Sequence, residues 1–278
     1  MSWISNNKYN IGADITANGR GEHREPERIN MKVLVSGYNG HMGRVLSHMI
    51  KNDDELELAC GVDKVVNVDG DTVKCFSSFN DVNVDIDIVV DFSHHSLTKE
   101  LVDYGIKNNK PLVIATTGQT DEEKQMISDA SKKIPVFYAA NYSVGIAVLI
   151  ETAKNVAKYM KGADIEIVET HHNRKLDAPS GTALKIAEGL KEVRTDANFV
   201  FGRNGNKKRE KNDIGINAIR LGNVVGIHEV LVSTEHECIS LKHEAYDRGL
   251  FAEGAINAVK FMKGKAAGLY NMNDMLKL

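Results

Sequence analysis

The chain has 278 residues, 42% of them apolar, and a formal net charge of −3 at pH 7. This length suffices for one large domain or two ordinary ones, and the small net charge argues against a surface for nucleic acid or another polyanion. Three cysteines without C-x-x-C spacing argue against a disulfide framework and a structural zinc site, as expected for a cytoplasmic protein. No apolar stretch approaches the ~18 residues that a membrane span needs.

Residues 1–30 differ from the rest of the chain, because they are polar, rich in glycine and asparagine, and end in a run of charges. They lack the apolar core of a secretory signal, and Met31 then opens a strongly apolar run. We interpret them as a disordered extension outside the fold, either a tag or the product of an upstream start. A transit peptide is less favoured, because three Glu and one Asp offset the basic residues.

Residues 31–142 alternate between short β-branched runs and longer segments in which apolar residues recur at helical spacing. This pattern predicts an α/β unit with a parallel sheet and helices on both faces. The predicted strands are 32–36, 56–62, 86–91, 112–115 and 134–138, and the predicted helices are 42–51, 96–109 and 121–132.

The pattern changes after about residue 141. Three β-rich runs follow one another without intervening helices, which suggests an open mixed or antiparallel sheet and a second domain of different architecture. The predicted order is a helix at 143–161, a strand at 164–170, a helix at 180–193, a polar linker at 195–213, strands at 214–220, 224–234 and 238–244, and an amphipathic helix at 249–263.

A glycine-rich loop separates the first predicted strand from the first helix, with the sequence Gly37-Tyr38-Asn39-Gly40-His41-Met42-Gly43. Its early glycines allow a tight turn and a close approach to a pyrophosphate, and the helix N-terminus offers free N–H groups. The spacing is not the common G-x-G-x-x-G, so the motif alone is weak. Its position between a strand and a helix favours nucleotide binding over an ordinary glycine turn.

Asp63 and Lys64 end the second predicted strand, close to the ~20-residue distance from the glycine loop at which an acid binds the adenosine ribose. The carboxylate would accept hydrogen bonds from ribose hydroxyls, whereas the ammonium would neutralise a 2′-phosphate. The pair therefore predicts use of both NADH and NADPH, with a plain charged turn as the alternative. Later strand ends carry small and hydroxyl residues, at Asp91–Ser93, Ala115–Gly118 and Ala139–Tyr142, where a dinucleotide would lie close.

Two histidines and a lysine, His171, His172 and Lys175, follow the predicted strand 164–170 on a polar loop. Catalytic groups concentrate on such loops. Adjacent histidines taken alone are more simply read as exposed loop residues, but the density of polar donors here favours a site. Zinc is less favoured, because adjacent histidines point apart on an extended chain and no H-E-x-x-H motif is present.

A predicted anion site comes directly after this loop, where Ser180, Gly181 and Thr182 begin a helix. Ser180 would cap the helix, while the Gly181 and Thr182 amides and the Thr182 hydroxyl would accommodate a carboxylate.

The segment 166–183 resembles the signature of the 4-hydroxy-tetrahydrodipicolinate reductase family, also called the dihydrodipicolinate reductase family. The resemblance extends from Met31 to the C-terminus and includes Gly37–Arg44, Ala115–Gly118, Ala139–Gly145 and Gly268–Met272. It implies a Rossmann-type dinucleotide-binding domain at 31–142, an α+β substrate-binding and tetramerisation domain at 143–248, and a C-terminal helix at 249–278 that returns to the first domain. It also implies NADH- or NADPH-dependent reduction of a cyclic imine dicarboxylate in diaminopimelate and lysine biosynthesis, by a homotetramer.

The resemblance further implies roles for individual residues. His171 would donate or accept a proton and Lys175 would be a second proton donor. The substrate carboxylates would be bound by His172, Ser180, Gly181 and Thr182. The cofactor would contact Gly37, Tyr38, Asn39, Gly40, His41, Met42, Asp63, Lys64, Ala115, Thr116, Thr117, Ala139, Ala140, Asn141 and Tyr142.

Two positions depart from the family pattern, which often has Glu-Arg in place of Asp63-Lys64 and Gly in place of Ala115. The first departure leaves the preference between NADH and NADPH open. The implied chemistry is coherent, because hydride addition to a conjugated imine leaves electron density that a proton must quench, and histidine, with a pKa near ~6.5, supplies protons around neutrality.

Two other functions are compatible with parts of the sequence. Another two-domain dehydrogenase, such as an aspartate or homoserine dehydrogenase, would share the first domain but would not need the loop from His171 to Thr182. A dinucleotide-sensing protein without turnover would keep the glycine loop but could lose His171 and Lys175, and this chain has both.

Overall fold

A computed structural model describes residues 30–66 and 72–277. The interpretation of residues 1–30 as an extension therefore concerns a segment that, apart from Asn30, lies outside the described residues. Among the residues described, no helix combines the length and the apolar character that a membrane crossing requires.

Strands and helices alternate in the first half of the chain. In order, they are β1 (Met31–Ser36), α1 (His41–Lys51), β2 (Leu56–Val62), β3 (Cys75–Phe76), β4 (Ile88–Asp91), α2 (Thr98–Asn108), β5 (Leu112–Ile114), α3 (Asp121–Ser131) and β6 (Pro135–Tyr138). The second half continues with α4 (Val144–Tyr159), β7 (Asp164–His171), α5 (Gly181–Val193), β8 (Asn198–Phe201), β9 (Asp213–Arg220), β10 (Gly226–Ser233), β11 (Cys238–Ala245), α6 (Gly249–Phe261), β12 (Gly268–Tyr270) and α7 (Met272–Leu276).

The first sheet has the strand order β12-β6-β5-β4-β1-β2-β3 within the described ranges, and all its strand pairs are parallel. Its central strands are buried on both faces, as Val33, Leu34 and Val35 of β1 illustrate with no exposed surface. Such continuous apolar runs are typical of parallel sheets covered by helices on both sides. The carboxyl ends of β1, β2, β4, β5 and β6 therefore meet at one edge, where ligands bind in open α/β sheets.

The second sheet is mixed, with the order β11-β10-β7-β9-β8 among the described strands. Strand β7 pairs parallel with β9 and antiparallel with β10. Helices α4 and α5 cover one face of the sheet, where Leu149 of α4 and Ile186 of α5 share a core with Ile167 of β7. The predicted fold class, a Rossmann-type α/β domain joined to a second domain with an open mixed sheet, is confirmed.

Strand β7 places its odd-numbered side chains on the helix-covered face. Ile165 and Ile167 lie in the core there, and Glu169 and His171 continue the same side toward the end of the strand. Because side chains alternate along a strand, Glu166 points to the opposite face. Two buried ionisable side chains, Glu169 and His171, therefore lie at the end of β7, beside the start of α5.

The chain after residue 248 packs against the first sheet. Helix α6 buries Ala252, Ala255 and Val259 in the same apolar cluster as Val33 and Leu46. Strand β12 pairs with β6 at the edge of that sheet.

Three strands, β3, β8 and β12, and the short helix α7 were not among the predicted elements. The segment 195–213, predicted to be a polar linker, contains β8, and the segment after residue 263 contains β12. Both are edge strands of three or four residues, and β8 leaves Phe201 56% exposed. Segments this short have no readable period, and they become strands only through pairing with a partner strand.

Candidate active site

The glycine loop is shaped by contacts that only glycine permits. Gly37 has a φ of 76°, and a Cβ there would lie 2.5 Å from the carbonyl oxygen of Phe92. A Cβ on Gly43 would lie 2.1 Å from the carbonyl oxygen of Gly37. The turn from β1 into α1 therefore lies directly against the end of β4, and α1 begins close to β1, as a dinucleotide-binding turn requires.

The N-terminus of α1 is open toward this edge of the sheet. Gly40 is the N-cap residue and contributes no side-chain hydrogen bond, and the first-turn amides of a helix lack intrahelical acceptors. No acidic residue occupies the first turn. The chain therefore offers uncapped N–H groups and the positive end of a helix dipole in a cradle that fits a pyrophosphate.

Asp63 is tied to the glycine loop by its carboxylate. Oδ2 accepts a hydrogen bond from the Asn39 amide at 2.9 Å, and Oδ1 accepts one from the Val65 amide at 3.2 Å. Lys64 beside it is exposed, and Arg44 donates from Nε to the Asn39 carbonyl at 3.1 Å. The predicted ribose acid thus stands at the loop, with two cationic side chains close by.

A cavity of about 640 Å³ lies between the two sheets. Its lining includes six of the predicted cofactor residues, namely Met42, Ala115, Thr117, Ala140, Asn141 and Tyr142. The other nine lie outside the lining: Gly37, Tyr38, Asn39, Gly40, His41, Asp63, Lys64, Thr116 and Ala139. These nine belong to the glycine loop and to strand ends at the same edge of the first sheet.

Two of the predicted cofactor residues have side chains that belong to the core. Tyr38 is 4% exposed, and its ring occupies the space that a Cβ on Gly61 would fill. Tyr142 is 2% exposed and donates from its hydroxyl to the Ile114 carbonyl at 2.9 Å. Any contact of these two residues with a dinucleotide is therefore restricted mainly to backbone atoms.

The cavity is cationic. No Asp or Glu occurs among the described residues that line it, whereas its ionisable side chains are His171, His172, Lys175, Lys185, His228, His243 and Arg248. Because opposite charges attract strongly where water is partly excluded, this lining suits an anion, and in particular a ligand with more than one carboxylate.

His171 stands at the end of β7 with one nitrogen inward and one toward the cavity. Its Nδ1 lies 2.5 Å from Oε2 of Glu169. A Cβ on Gly226 would lie 3.1 Å from its Nε2, so the glycine leaves room at that nitrogen. The His228 ring packs edge-on at 5.2 Å between centroids. The predicted catalytic histidine is thus held on one side and open on the other.

His172 and Lys175 lie on the loop that follows. The Lys175 amide donates to the His172 carbonyl at 3.1 Å, which turns the loop back on itself. Lys175 Nζ is 2.9 Å from Oδ1 of Asp177, a contact that lowers the pKa of the Asp177 carboxyl. Burial, followed by the charges of Arg174 and Arg248, lowers the pKa of His172, whose Nδ1 has no hydrogen-bond partner among the described residues.

The start of α5 has the predicted cap. Ser180 Oγ accepts a hydrogen bond from the Ala183 amide at 3.2 Å and lies 3.1 Å from Nε2 of His228. Thr182 Oγ1 accepts a hydrogen bond from Asn141 Nδ2 at 3.2 Å, while nothing lies within 4 Å of a Cβ built on Gly181. The Ser180 hydroxyl is therefore engaged within the protein, whereas the space beside Gly181 at the start of α5 is open.

Among the residues that line the cavity, four basic side chains were not predicted from the sequence: Lys185, His228, His243 and Arg248. Burial lowers the pKa of Lys185, and burial followed by the charge of His171 lowers that of His228 to about 4. Lys185 lies one helical turn after Gly181, so the i, i+4 spacing could have identified it. His228 and His243 belong to distant strands and Arg248 directly precedes α6, and none of the three carries a local signal.

Comparisons with known proteins agree over most of the chain. The family models described as "Dihydrodipicolinate reductase, N-terminus" and "Dihydrodipicolinate reductase, C-terminus" match residues 31–142 and 145–276. A 4-hydroxy-tetrahydrodipicolinate reductase of Clostridium tetani is 44% identical over 248 residues, covering 88% of this chain and 97% of the relative. That of Caldanaerobacter subterraneus is 43% identical over 249 residues, covering 89% and 98%.

A solved structure shows the same arrangement. The dipicolinate-bound dihydrodipicolinate reductase from Paenisporosarcina superposes with a TM-score of 0.75 at 26% identity, covering 88% of this chain and 99% of that one. Since both family models and the curated relatives span both sheets and the cavity between them, the chain belongs to the dihydrodipicolinate reductase family.

Proposed function

We propose that this protein is an NADH- or NADPH-dependent reductase of 4-hydroxy-tetrahydrodipicolinate in diaminopimelate and lysine biosynthesis. The cavity carries this proposal, because it lies beside the glycine loop and is lined by cations and imidazoles, with no carboxylate among the lining residues that the structure describes. A cyclic imine with two carboxylates matches such a lining in charge. We infer the reaction itself from the membership of the chain in the dihydrodipicolinate reductase family.

The glycine loop would hold the dinucleotide. The amides at the start of α1 would face the pyrophosphate, and Asp63 and Lys64 would face the adenosine ribose. A bound NADH or NADPH would supply the hydride. Residues lining the cavity at the ends of β5 and β6, among them Ala115 and Asn141, would place the nicotinamide end beside the substrate.

The protein's own side chains would supply the proton and hold the substrate. His171 would deliver the proton from Nε2, the nitrogen that faces the cavity, and Lys175 would be the second proton donor. The substrate carboxylates would be bound by His172 and by the amides of Gly181 and Thr182, with the Thr182 hydroxyl beside them. Ser180 would contribute mainly by fixing the start of α5, since its hydroxyl is already engaged.

Cofactor oxidation on addition of the imine substrate tests the proposal. The substrate is generated freshly from pyruvate and aspartate semialdehyde, and the loss of NADPH or NADH absorbance is followed. Homoserine and aspartate, which a dehydrogenase would oxidise, are tested with NADP+ or NAD+, and the formation of NADPH or NADH is followed. Turnover with this substrate and none with homoserine or aspartate is the expected result. Turnover with homoserine or aspartate instead would favour another dehydrogenase, whereas tight NADPH binding without turnover of any of them would favour a dinucleotide sensor.

We further propose a cytoplasmic homotetramer that binds neither nucleic acid nor membrane. Cys60 and Cys238 form no disulfide bond, as is usual in a reducing compartment. The small negative net charge argues against binding to a polyanion such as a nucleic acid.

A further inference from the structure

A buried carboxylate stands directly behind the proposed proton donor. Glu169 is fully buried at the end of β7, and its Oε2 lies 2.5 Å from Nδ1 of His171. Arg220 of β9 approaches both oxygens, with one guanidinium nitrogen 2.9 Å from each. The Ser180 amide adds a hydrogen bond to Oε1 at 3.0 Å.

We propose that Glu169 is a positioning residue for the reaction, which holds His171 in the tautomer and ring orientation that turn Nε2 toward the substrate. The proposal rests on the proposed function, because it assumes that His171 delivers the proton. Arg220 acts through Glu169, since its fork-shaped pair of hydrogen bonds holds the carboxylate in one orientation.

The charge state of Glu169 determines where the hydrogen of His171 lies. Burial raises the pKa of this carboxyl, but the hydrogen bonds from His171, Arg220 and Ser180 outweigh burial and bring it to about 2. The side chain is therefore ionised at neutral pH and only accepts hydrogen bonds. Nδ1 of His171 must then carry a hydrogen, and the proton that is gained and lost during turnover resides on Nε2.

The far side of the ring is kept open. Gly226 on β10 faces Nε2, where a Cβ would lie 3.1 Å away. Glu169 thus holds the His171 ring on its Nδ1 side, and the absence of a side chain at Gly226 leaves space on the Nε2 side. The ring is fixed without blocking the atom that would meet the substrate.

The same carboxylate also fixes the substrate side of the cavity. Through the Ser180 amide, Glu169 holds the first residue of the turn that exposes the Gly181 and Thr182 amides. The Glu169 carboxylate therefore holds both the proposed proton donor and the proposed site for the substrate carboxylates in position. A small shift of either would misalign the proton with the reacting carbon, and such misplacement lowers kcat more than binding.

Glu169→Gln tests the proposal, because glutamine keeps the size of the side chain but loses its charge and offers an amide in place of one oxygen. Glu166→Gln is the matched control. Glu166 lies on the same strand and also pairs with an arginine, Arg203, but on the opposite face of the sheet. We expect Glu169→Gln to lower kcat about tenfold or more, as loss of the correct histidine tautomer does in other enzymes, with KM and the NADPH Kd within about threefold of wild type. Glu166→Gln should leave kcat within the same threefold.

A spectroscopic readout separates positioning from general damage. Nitrogen NMR of the His171 imidazole should show the Nδ1–H form in the wild type and a lower population of that form in Glu169→Gln. If Glu169→Gln fails to fold, the double variant Glu169→Leu/Arg220→Leu is used in its place, because it removes both charges of the buried pair together. Unchanged kcat and an unchanged tautomer in a folded variant would overturn the proposal. Absence of imine reduction by the wild type would instead contradict the proposed function, and the NMR result would remain readable.

Discussion

The ionisable side chains of the cavity differ in how they are held. His171 is fixed by Glu169 and Lys175 is paired with Asp177, whereas Lys185 has no hydrogen bond or ion pair to other described residues. Held groups suit proton delivery, which depends on geometry. A cation that has no hydrogen bond within the protein at the wall of a cavity suits charge recognition, because the ligand can then accept that hydrogen bond.

Substitution of the proposed proton donors is expected to act on turnover. General acid catalysis contributes typically ~10²–10⁴-fold, so His171→Ala and Lys175→Ala should each lower kcat by a factor in that range and leave the NADH Kd nearly unchanged. Steady-state kinetics with a cofactor titration measures both quantities. Asn173→Ala, at an exposed position of the same loop, controls for loop damage, and His172→Ala should act mainly on KM. If both kcat values stayed within about threefold of wild type, the proton-delivery roles would be wrong.

Lys185 is expected to contribute to substrate binding. It lines the cavity one turn into α5, and a hydrogen bond to a charged group is worth ~1.5–3 kcal/mol. Lys185→Met should therefore raise KM for the imine roughly tenfold, equivalent to about 1.4 kcal/mol, with kcat within about threefold. Lys191→Met is the control, since Lys191 lies on the same helix but is exposed. Equal KM values for the two variants would remove Lys185 from the substrate site.

At the scale of elements, the loop after β2 is expected to determine the choice of cofactor. Asp63 is committed to the Asn39 and Val65 amides, and the exposed Lys64 is left to meet a 2′-phosphate. The wild type should use both NADH and NADPH. Lys64→Ala should raise the NADPH Kd by roughly tenfold and the NADH Kd much less, since only NADPH carries the extra phosphate. Equal changes for the two cofactors, measured by fluorescence titration, would place Lys64 elsewhere.

Strand β10 is expected to make stability depend on pH through His228. Burial and the neighbouring His171 lower the pKa of His228 to about 4, from 6.5. The unfolded chain therefore binds more protons between these values, so the free energy of unfolding should decrease as the pH falls from 6.5 toward 4. The full loss is on the order of 3 kcal/mol. Denaturant titrations at several pH values should show a flatter profile for His228→Gln, and an unchanged one for His236→Gln in the exposed turn before β11. Parallel profiles for His228→Gln and wild type would contradict this assignment.

At the scale of the whole molecule, the second sheet has one face that its own helices do not cover. Helices α4 and α5 pack on the face that carries Ile165 and Ile167, whereas Ile227 and Leu231 lie on the other side of β10 and are half-buried. Ile219 of β9 is 44% exposed. We expect this face to be buried between copies of the chain in a homotetramer. Light scattering at micromolar concentration should give the tetramer mass, and Leu231→Lys should reduce it. A monomeric wild type would contradict the prediction.

Most of the first domain could be predicted from local pattern. Strand β1 and helix α1 lie within a residue of their predicted bounds, because a continuous apolar run and a 3.6-residue period each reflect burial within a single element. Strand β4 begins at Ile88, two residues later than predicted. Strands β8 and β12 could not be predicted, since their few residues owe their conformation to β9 and β6.

The sequence by itself determined the chemistry of this protein: a glycine turn before a helix, an acid and a lysine after the second strand, and histidines beside a helix start that accommodates an anion. These features are local, and each is specified by residues within a single turn or loop. Only the tertiary structure decided which of these side chains contact one another. Gly226 and Arg248 reach the cavity, and Arg220 reaches Glu169, from segments far along the chain, and no period or motif encodes their meeting. Glu169 illustrates the distinction. Its place on the strand predicts which face of the sheet it lies on, whereas part of the stabilisation of its charge comes from Arg220 on a neighbouring strand, which pairing within the sheet brings near.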